Sequence, residues 1–304
     1  MNIAERIKEA VARLFERLAV FGIGQDDIQI EAQAVSQMPV LTPTLLHARH
    51  VHSQGEMSYY VGGHSFYVVV RRGGMMQTDC LEQSVRGYVA PPVLDDPALL
   101  DDLLLTAVAP LLRRRGFFPL HAFAAARRGQ GVLLVGKSGS GKTTAGLALV
   151  RAGWQFLSDD GPFLCRSGTG IQILGWHAPV NAAWTTALLF PELQPIFATH
   201  HGQAKCSFSI EKIYGLVSTE RAFARLILLP SLTDGEHSAL RRLSTAAILA
   251  ELIAHSIDGW DRSIMAEHFT LLSSLTDMVP AYHLALGSDL DRLPALIADV
   301  LPAN

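Results

Sequence analysis

The hydrophobic and polar positions of this chain change their spacing along its length, and each spacing predicts a different kind of structure. Near the amino terminus, apolar residues recur at helical spacing between charged ones, at Ile3, Ile7, Val11, Leu14 and Leu18. This spacing predicts an amphipathic helix. We expect its apolar face to pack within its own domain, and we favour that interpretation over a role at a membrane surface or on a partner.

The stretch from Asp27 to about Val89 has short segments rich in β-branched and aromatic residues, separated by glycine or polar turns. The segments "DIQIEAQAV", "MSYYVG", "HSFYVVVRR" and "MMQTDC" are typical of strands. The sequence "YVGGHSFYVV" predicts a hairpin with Gly62 and Gly63 in or near its turn. We therefore expect a small antiparallel sheet in this part of the chain.

A helix is expected next, from about Pro97 to Arg114. Acidic residues come early in it and arginines late, which is the order that suits the helix dipole. Gly116 is a suitable residue to end it. We place the domain boundary here, with a small α+β domain at 1–115 and a second domain at 116–304.

Beyond this boundary, strand patterns alternate with helical ones. The runs "PLHAFAAA", "GVLLVG", "WQFLSDD", "FARLILLP" and "AYHLAL" predict strands, and "FLCRSGTGIQIL" predicts a hairpin. Helical patterns cover about 245–255 and 261–278 and the segment "LDRLPALIADVL". This mixture predicts an α/β domain with a mainly buried sheet.

A glycine-rich turn between a predicted strand and a predicted helix carries candidate chemistry. It fits the P-loop pattern G-x-x-x-x-G-K-S/T at every position, with Gly136, Lys137, Ser138, Gly139, Ser140, Gly141, Lys142 and Thr143. The glycines let successive backbone N–H groups face phosphate oxygens, and the lysine adds positive charge. The Thr143 hydroxyl can ligate Mg²⁺. The sequence therefore predicts a site for nucleotide phosphates, with Thr144 beside it. The alternative, a glycine-rich turn that binds nothing, is disfavoured.

Two acidic residues, Asp159 and Asp160, end the strand predicted after the P-loop helix. Ligands of open α/β sheets bind at the carboxyl ends of strands. One carboxylate of the pair can hold Mg²⁺ or its water shell, and the other can orient a nucleophile or accept its proton. A solvated turn or a helix N-cap is the disfavoured alternative. His121, at the end of the short strand before the P-loop strand, could equally be a structural residue.

Composition narrows the possible partners and the compartment. The chain has 304 residues, a formal net charge of -3 and a pI of about 6.4, so nothing in its charge favours nucleic acid. Its three cysteines form no C-x-x-C pair, which argues against a disulfide framework or a cysteine zinc site. The amino terminus lacks a signal-peptide pattern, and the longest apolar stretch is about half of the roughly 20 residues that a membrane span needs. We expect a cytoplasmic protein, with its oligomeric state open and a homo-oligomer included.

Two groups of histidines are further candidates for binding residues. His47, His50 and His52 lie close together, and His50 and His52 would share a face of an extended segment. A metal site is conceivable there, but a polar strand or loop is favoured because no acidic residue or cysteine completes it. His200 and His201 are expected on a loop near the site, where contact with a peptide is less favoured than simple loop surface.

Taken together, "LHAFAAARRGQGVLLVGKSGSGKTTAGLALVRAGWQFLSDD" resembles the HPr kinase/phosphorylase family. The closest likeness is to HPr-kinase-related proteins of modified-peptide pathways, including lasso-peptide kinases. The good match covers His121 to Asp160, and residues 1–115 look like the small β-rich domain of these related proteins. The resemblance implies a P-loop α/β domain that transfers phosphate from ATP to a serine hydroxyl.

The resemblance also implies roles for individual residues. Asp159 would take the serine proton, and His121 would lie beside it and tune or orient it. Asp160 and Thr143 would hold Mg²⁺. A basic residue from a later loop would reach the phosphates or the substrate, and Lys205 is the first candidate, ahead of Lys212 and Arg221.

Two departures from the family pattern limit what the resemblance implies. The bifunctional enzymes carry glutamate directly after the P-loop serine or threonine, where this chain has Thr144. They also carry a later signature that contains glutamate and glycine, which is missing from "VNAAWTTALLFPELQP". Both losses argue against phosphorylase activity and against HPr as the substrate. A peptide serine remains the first expectation, with a small hydroxylated metabolite or a non-catalytic, nucleotide-binding assembly role as alternatives.

Overall fold

The computed structural model describes residues 3–38, 45, 47–198, 204–256 and 259–302. The chain divides into one unit of Met1–Arg115 with Gly259–Ile264, and a second of Gly116–Asp258 with Met265–Asn304. The main division therefore falls at the end of the helix predicted to carry the boundary. The return of 259–264 to the first unit was not predicted from the sequence.

Six strands of the first unit form one sheet in the order β1-β6-β5-β4-β3-β2. These strands are β1 Gln29–Ala34, β2 Arg49–Gln54, β3 Met57–Gly62, β4 Ser65–Val70, β5 Gly74–Asp79 and β6 Ser84–Val89. The expected hairpin joins β3 to β4, with Gly62 opposite Ser65. The expectation of an antiparallel sheet is wrong at one edge, because β1 pairs with β6 in parallel. A parallel pair needs a long connection, and the four strands between β1 and β6 supply it.

The helices of the first unit are α1 Ile3–Leu18, α2 Pro91–Leu94 and α3 Pro97–Arg114, with a 3-10 turn at Ala19–Phe21. Helix α3 packs on β4 and β5, and α1 packs on α3 and β1. The 259–264 segment is tied to this unit by Arg114, whose guanidinium donates to both Asp261 carboxylate oxygens at 3.0 Å. Asp261 is buried, so loss of Arg114 would leave its negative charge buried without a cation. This bidentate ion pair therefore holds the 259–264 segment in the first unit.

In the second unit, nine of the described strands form one sheet. Its main path runs β10-β8-β9-β15-β12-β11-β7, and β17 pairs with both β15 and β16. Its strands are β7 Phe118–Pro119, β8 Ala122–Arg127, β9 Gln130–Val135, β10 Gln155–Ser158, β11 Phe163–Ser167, β12 Gly170–Leu174, β15 Arg221–Leu232, β16 Ala239–Arg242 and β17 Ala281–Leu286. A separate pair consists of β13 Val180–Ala183 and β14 Lys205–Phe208.

The remaining helices belong to this second unit. They are α4 Lys142–Arg151, α5 Trp184–Ala187, α6 Gln194–Ala198, α7 Ile210–Tyr214, α8 Thr245–Ala254, α9 Met265–Met278 and α10 Leu293–Ala298, with a 3-10 turn at Pro191–Leu193. The helix expected from about residue 261 begins at Met265, because the residues before it pack in the first unit. Strands and helices mix around one buried sheet, so the α/β prediction for this part of the chain is confirmed. None of the helices in the described residues is both long and apolar enough for a membrane span.

The strand directions decide which residues meet at one edge of this sheet. Strand β9 is parallel to β15, and β15 is parallel to β17. Strand β8 is antiparallel to β9, and β10 is antiparallel to β8, so β10 runs in the same direction as β9. The carboxyl ends of β9, β10, β15 and β17 and the beginning of β8 therefore lie along the same edge.

Candidate functional site

The P-loop follows β9 at this edge, and three of its glycines have backbone angles that suit a tight anion cradle. Gly136, Gly139 and Gly141 have φ values of 154°, 82° and 100°. Residues other than glycine rarely adopt positive φ angles of this kind. A Cβ atom at Gly136 would lie 2.9 Å from Ser140 Oγ. The backbone therefore turns closely around a small volume, as the sequence predicts for a phosphate site.

The polar groups inside the cradle suit an anionic ligand. Ser140 Oγ is buried and has no hydrogen-bond partner among the described residues, and buried hydroxyls normally have one. Lys142 Nζ donates to Gly136 O at 2.7 Å and lies 3.3 Å from Lys137 O. The lysine is thus folded onto the carbonyls of its own loop. Phosphate oxygens would give both side chains stronger, charge-assisted partners, so these residues fit a nucleotide.

Asp159 follows β10 and lies beside the first turn of α4. Its side chain is only 6% exposed. It accepts hydrogen bonds from Thr143 Oγ1 at 3.2 Å and from the Asn181 backbone N–H at 2.9 Å. Burial, helped by the negative charge of Asp160, raises the pKa of Asp159 to about 6 despite these two hydrogen bonds. Asp159 is therefore a buried carboxylate with an unusually high affinity for a proton.

Asp160 differs from its neighbour in both backbone and exposure. Its φ is +68°, in the left-handed region that Asp tolerates better than most residues. Its side chain is 47% exposed, and its Oδ1 lies 3.2 Å from His121 Nδ1. The left-handed turn points two consecutive carboxylates to different partners, Asp159 to Thr143 and Asp160 to His121.

The described polar side-chain contacts of His121 are with Asp160 and the P-loop lysine, and not with Asp159, which the resemblance implies it would orient. Its Nε2 lies 3.1 Å from Lys142 Nζ. Burial lowers the pKa of His121 below its usual value, the charge of Asp160 opposes this, and the charge of Lys142 adds to it. A neutral imidazole fits both contacts, because Nδ1–H can donate to Asp160 while Nε2 accepts from Lys142.

The position of His121 differs from the expectation. It was expected to end a strand, but it lies after β7 and directly before Ala122, the first residue of β8. Ala122 pairs with Val135, the last residue of β9. His121 reaches the P-loop edge because β8 begins there, in the antiparallel direction.

Thr144 has a local structural partner. It is buried, and its hydroxyl lies 3.0 Å from the Thr186 hydroxyl of α5. Thr186 belongs to the segment "VNAAWTTALLFPELQP", which lacks the glutamate- and glycine-containing signature. In this chain, two hydroxyls form a neutral pair at the position that carries a glutamate in the resembled enzymes.

The three later basic candidates lie in different places. Lys205 begins β14 opposite Ala183, and its charge contributes, after burial and nearer groups, to the lowered pKa values of His121 and Lys142. Arg221 begins β15 near the start of β9, at the edge of the sheet opposite the P-loop. Lys212 lies on α7, with no described contact to the P-loop. The structure therefore brings Lys205 close to the site and places Arg221 far from it.

The described histidines His50 and His52 contact tyrosines of their own sheet. A β-bulge places His50 opposite Tyr60 and His52 opposite Tyr59. Each histidine ring contacts the ring of the tyrosine opposite it. Tyr59 and Tyr60 are consecutive in β3 and point to opposite faces of the sheet, so the expectation that His50 and His52 share a face is wrong. Within the described ranges, no three His, Cys, Asp or Glu side chains are grouped to hold a metal ion. His200 and His201 lie outside the described residues.

Two groups in the site were missed by the sequence analysis. Asn181 contributes only its backbone N–H to Asp159, so its residue type gives no signal. His255 accepts a hydrogen bond from the His121 backbone N–H at 3.0 Å, and the two rings stack at 5.9 Å. A single histidine at the end of a predicted helix could not be connected to a residue more than a hundred positions earlier in the chain.

No protein-family model matches the chain, and no curated protein matches it. Among solved structures, the chain is similar to the Hpr(Ser) kinase/phosphatase from Coxiella burnetii at 15% sequence identity. The alignment covers 60% of this chain and 94% of that chain, with a TM-score of 0.35. The assignment of a P-loop α/β fold rests on the strands, helices and loop described above.

Proposed function

We propose that this protein is an ATP- and Mg²⁺-dependent kinase that transfers the γ-phosphate to a serine hydroxyl. The observation that carries the proposal is a buried carboxylate, Asp159, in contact with the first helical turn of a complete P-loop. Keeping a carboxylate buried raises its pKa, and this arrangement is typical of a proton acceptor.

In the proposed reaction, Asp159 accepts the proton of the attacking hydroxyl. With a pKa of about 6, it is mainly ionised at neutral pH and still basic enough to be effective. Lys142 leaves the carbonyl oxygens of Gly136 and Lys137 and binds phosphate oxygens. His121, held by Asp160, remains beside the lysine and orients it, and Lys205 adds positive charge at the same edge.

Mg²⁺ fits this site through oxygen ligands. As the resemblance implies, the Thr143 hydroxyl and the Asp160 carboxylate would hold it, although Asp159 is the carboxylate in contact with Thr143 and Asp160 contacts His121. When bound, the ion would neutralise charge that develops on the phosphates. Thr143 Oγ1 donates its proton to Asp159, so a lone pair of the same oxygen remains to ligate Mg²⁺.

The proposed acceptor is a serine of a peptide, such as the precursor of a ribosomally made natural product of the lasso type. This part rests on the resemblance of the segment from His121 to Asp160. The first domain would help to capture the peptide, since β1 and β2 are edge strands of its sheet and an extended segment can pair with such an edge.

The test combines three kinds of acceptor with ATP and Mg²⁺. They are a precursor peptide encoded beside this protein, the same peptide with its serines replaced by alanine, and a set of small alcohols with free serine. We expect one phosphate on the serine peptide and none on the alanine control, read by intact mass. Phosphorylation of small alcohols with inert peptides would replace the peptide by a metabolite as the acceptor.

A non-catalytic assembly protein is the competing function, favoured by the neutral Thr144–Thr186 pair where the resembled enzymes have a carboxylate. Absence of transfer to every acceptor, with intact ATP binding, would support it. Turnover that disappears in Asp159→Asn while ATP binding persists would exclude it.

A further inference from the structure

The side of β9 away from Asp159 carries a second feature at the same sheet edge. Strand β15 continues past the end of β9, since Leu228 pairs with Leu134 and the strand runs on to Leu232. Leu232 pairs with Leu286, the last residue of β17. A Cβ atom on Gly141 of the P-loop would lie 3.1 Å from Leu232 Cδ2, so this leucine directly adjoins the phosphate cradle.

Leu232 is exposed although it ends a buried strand. Leu226, Ile227 and Leu228 are completely buried, whereas Leu232 is 64% exposed. A large apolar side chain beside a ligand site is typical of a surface that an apolar part of the ligand covers. Its proximity to Gly141 places this surface next to the loop that would hold the phosphates.

The loop that follows Leu232 is held in place by the end of β17. Thr233 N–H donates to Leu286 O at 3.1 Å, and Asp289 N–H donates to Glu236 O at 3.1 Å. Ser238 donates from both N and Oγ to Asp289 Oδ1 at 2.7 Å. A Cβ atom at Gly287 would lie 2.8 Å from the His237 carbonyl carbon. The 233–237 loop is therefore held at the end of β17, directly after the leucine that adjoins the P-loop.

The charges around the cradle fix the direction in which a nucleotide lies. His121, Asp159 and Asp160 lie on the β8 and β10 side, where the reacting phosphate has to be. The nucleoside then extends toward β15 and β17. The exposed acidic residues of the loop there, Asp234 and Glu236, repel further phosphate and suit the uncharged end of the nucleotide.

We propose that Leu232 and the 233–237 loop form the subsite for the base of the bound nucleotide. Leu232 covers the flat face of the base, and the loop borders its edge. This inference rests on the proposed function, because it needs the phosphates of ATP in the P-loop.

The test compares a ligand that has a base with one that lacks it. Dissociation constants of Mg²⁺-ATP and of Mg²⁺ with inorganic tripolyphosphate are measured by calorimetry, without acceptor, for the full chain and for Leu232→Asn. The matched control is Leu216→Asn, since Leu216 is 100% exposed and precedes β15, away from the P-loop edge. We expect Leu232→Asn to weaken ATP binding about tenfold and to leave tripolyphosphate binding unchanged. Leu216→Asn should change neither.

Three results would overturn the proposal, and they can be told apart. Equal ATP affinity in Leu232→Asn and the original chain would remove the subsite and leave the kinase proposal intact. Equal losses for ATP and tripolyphosphate would show that Leu232 only supports the P-loop. If the original chain binds neither ligand, the proposed function itself fails, and the base subsite fails with it.

Discussion

The two flanks of the P-loop strand β9 hold different kinds of residues. The charged flank, on the β8 and β10 side, consists of His121, Asp159 and Asp160. The other flank, on the β15 and β17 side, consists of Leu232 and the polar 233–237 loop, and we call it the apolar flank for its exposed leucine. One loop between two such flanks suits a ligand that reacts at one end and is only recognised at the other.

The flanks also use carboxylates in opposite ways. Burial raises the pKa of Asp159 on the charged flank to about 6. On the apolar flank, burial acts in the same direction on Asp289, but hydrogen bonds from Ser238 and His237 hold the pKa of Asp289 below its usual value. A carboxylate that is saturated with donors stabilises a loop, whereas a buried one with fewer donors keeps its affinity for a proton.

The strongest test of the charged flank is Asp159→Asn. We expect kcat to fall by about 10²- to 10⁴-fold, since a positioned proton acceptor contributes a factor of this size. The dissociation constant of ATP should change little, because the group acts in the transition state. Steady-state kinetics and equilibrium binding on the same preparation measure both quantities.

Asp160→Asn is the matched control for this prediction. It removes an adjacent charge and leaves the buried carboxylate in place, so it should mainly raise the Mg²⁺ concentration that gives half-maximal activity. If Asp159→Asn affects the Mg²⁺ dependence and Asp160→Asn affects kcat instead, the two roles are exchanged.

The same charged flank should reduce the stability of the free protein. The pKa of Asp159 in the folded protein lies above the ordinary value of 3.8, so the folded state binds this proton more tightly than the unfolded state does. The contribution of this carboxyl to the free energy of unfolding therefore falls as pH rises from about 4 to about 6 and stays low above that. Asp159→Asn should be more stable than the original chain by roughly 1–3 kcal/mol at pH 8, with the difference shrinking toward pH 5.

Urea unfolding in the presence of a chelator, at several pH values between these limits, checks this prediction. The chelator keeps divalent cations from binding the ionised carboxylate. A constant stability difference across this range would show that the Asp159 carboxyl has an ordinary pKa.

The apolar flank should respond with the opposite sign. Asp289→Asn removes a charged acceptor of the Ser238 N–H and hydroxyl, and we expect a loss of roughly 1–2 kcal/mol in the free energy of unfolding at pH 8. Thermal unfolding of the two asparagine variants side by side compares the flanks directly. A gain in stability for both variants would end the distinction between them.

The sequence predicted much of the charged flank and little of the apolar one. A P-loop has a fixed pattern of glycines and a lysine, and an Asp pair after the next strand has to lie at the same sheet edge. These are local patterns combined with one topological rule. The exposure of Leu232 depends on β15 extending past β9, and no residue near Leu232 in the chain signals that length difference.

Contacts between distant segments account for the other differences. The parallel pairing of β1 with β6 joins residues more than fifty positions apart. The ion pair of Arg114 with Asp261 binds the 259–264 segment into the first unit. Neither contact changes the local spacing of apolar residues, which is the main signal that a single sequence offers.

The smallest predicted effect concerns the neutral pair behind the P-loop. Thr144→Val leaves the buried Thr186 hydroxyl without its partner, and we expect a loss of about 1–2 kcal/mol in the free energy of unfolding. Thr144→Val combined with Thr186→Val removes both polar groups and should be less destabilising than the sum of the two single variants. A double-mutant cycle by urea unfolding measures this coupling. Additive losses would mean that the two hydroxyls do not interact. Unchanged kcat in both single variants would show that this pair only holds α4 against α5, and that the chemistry depends on the charged flank.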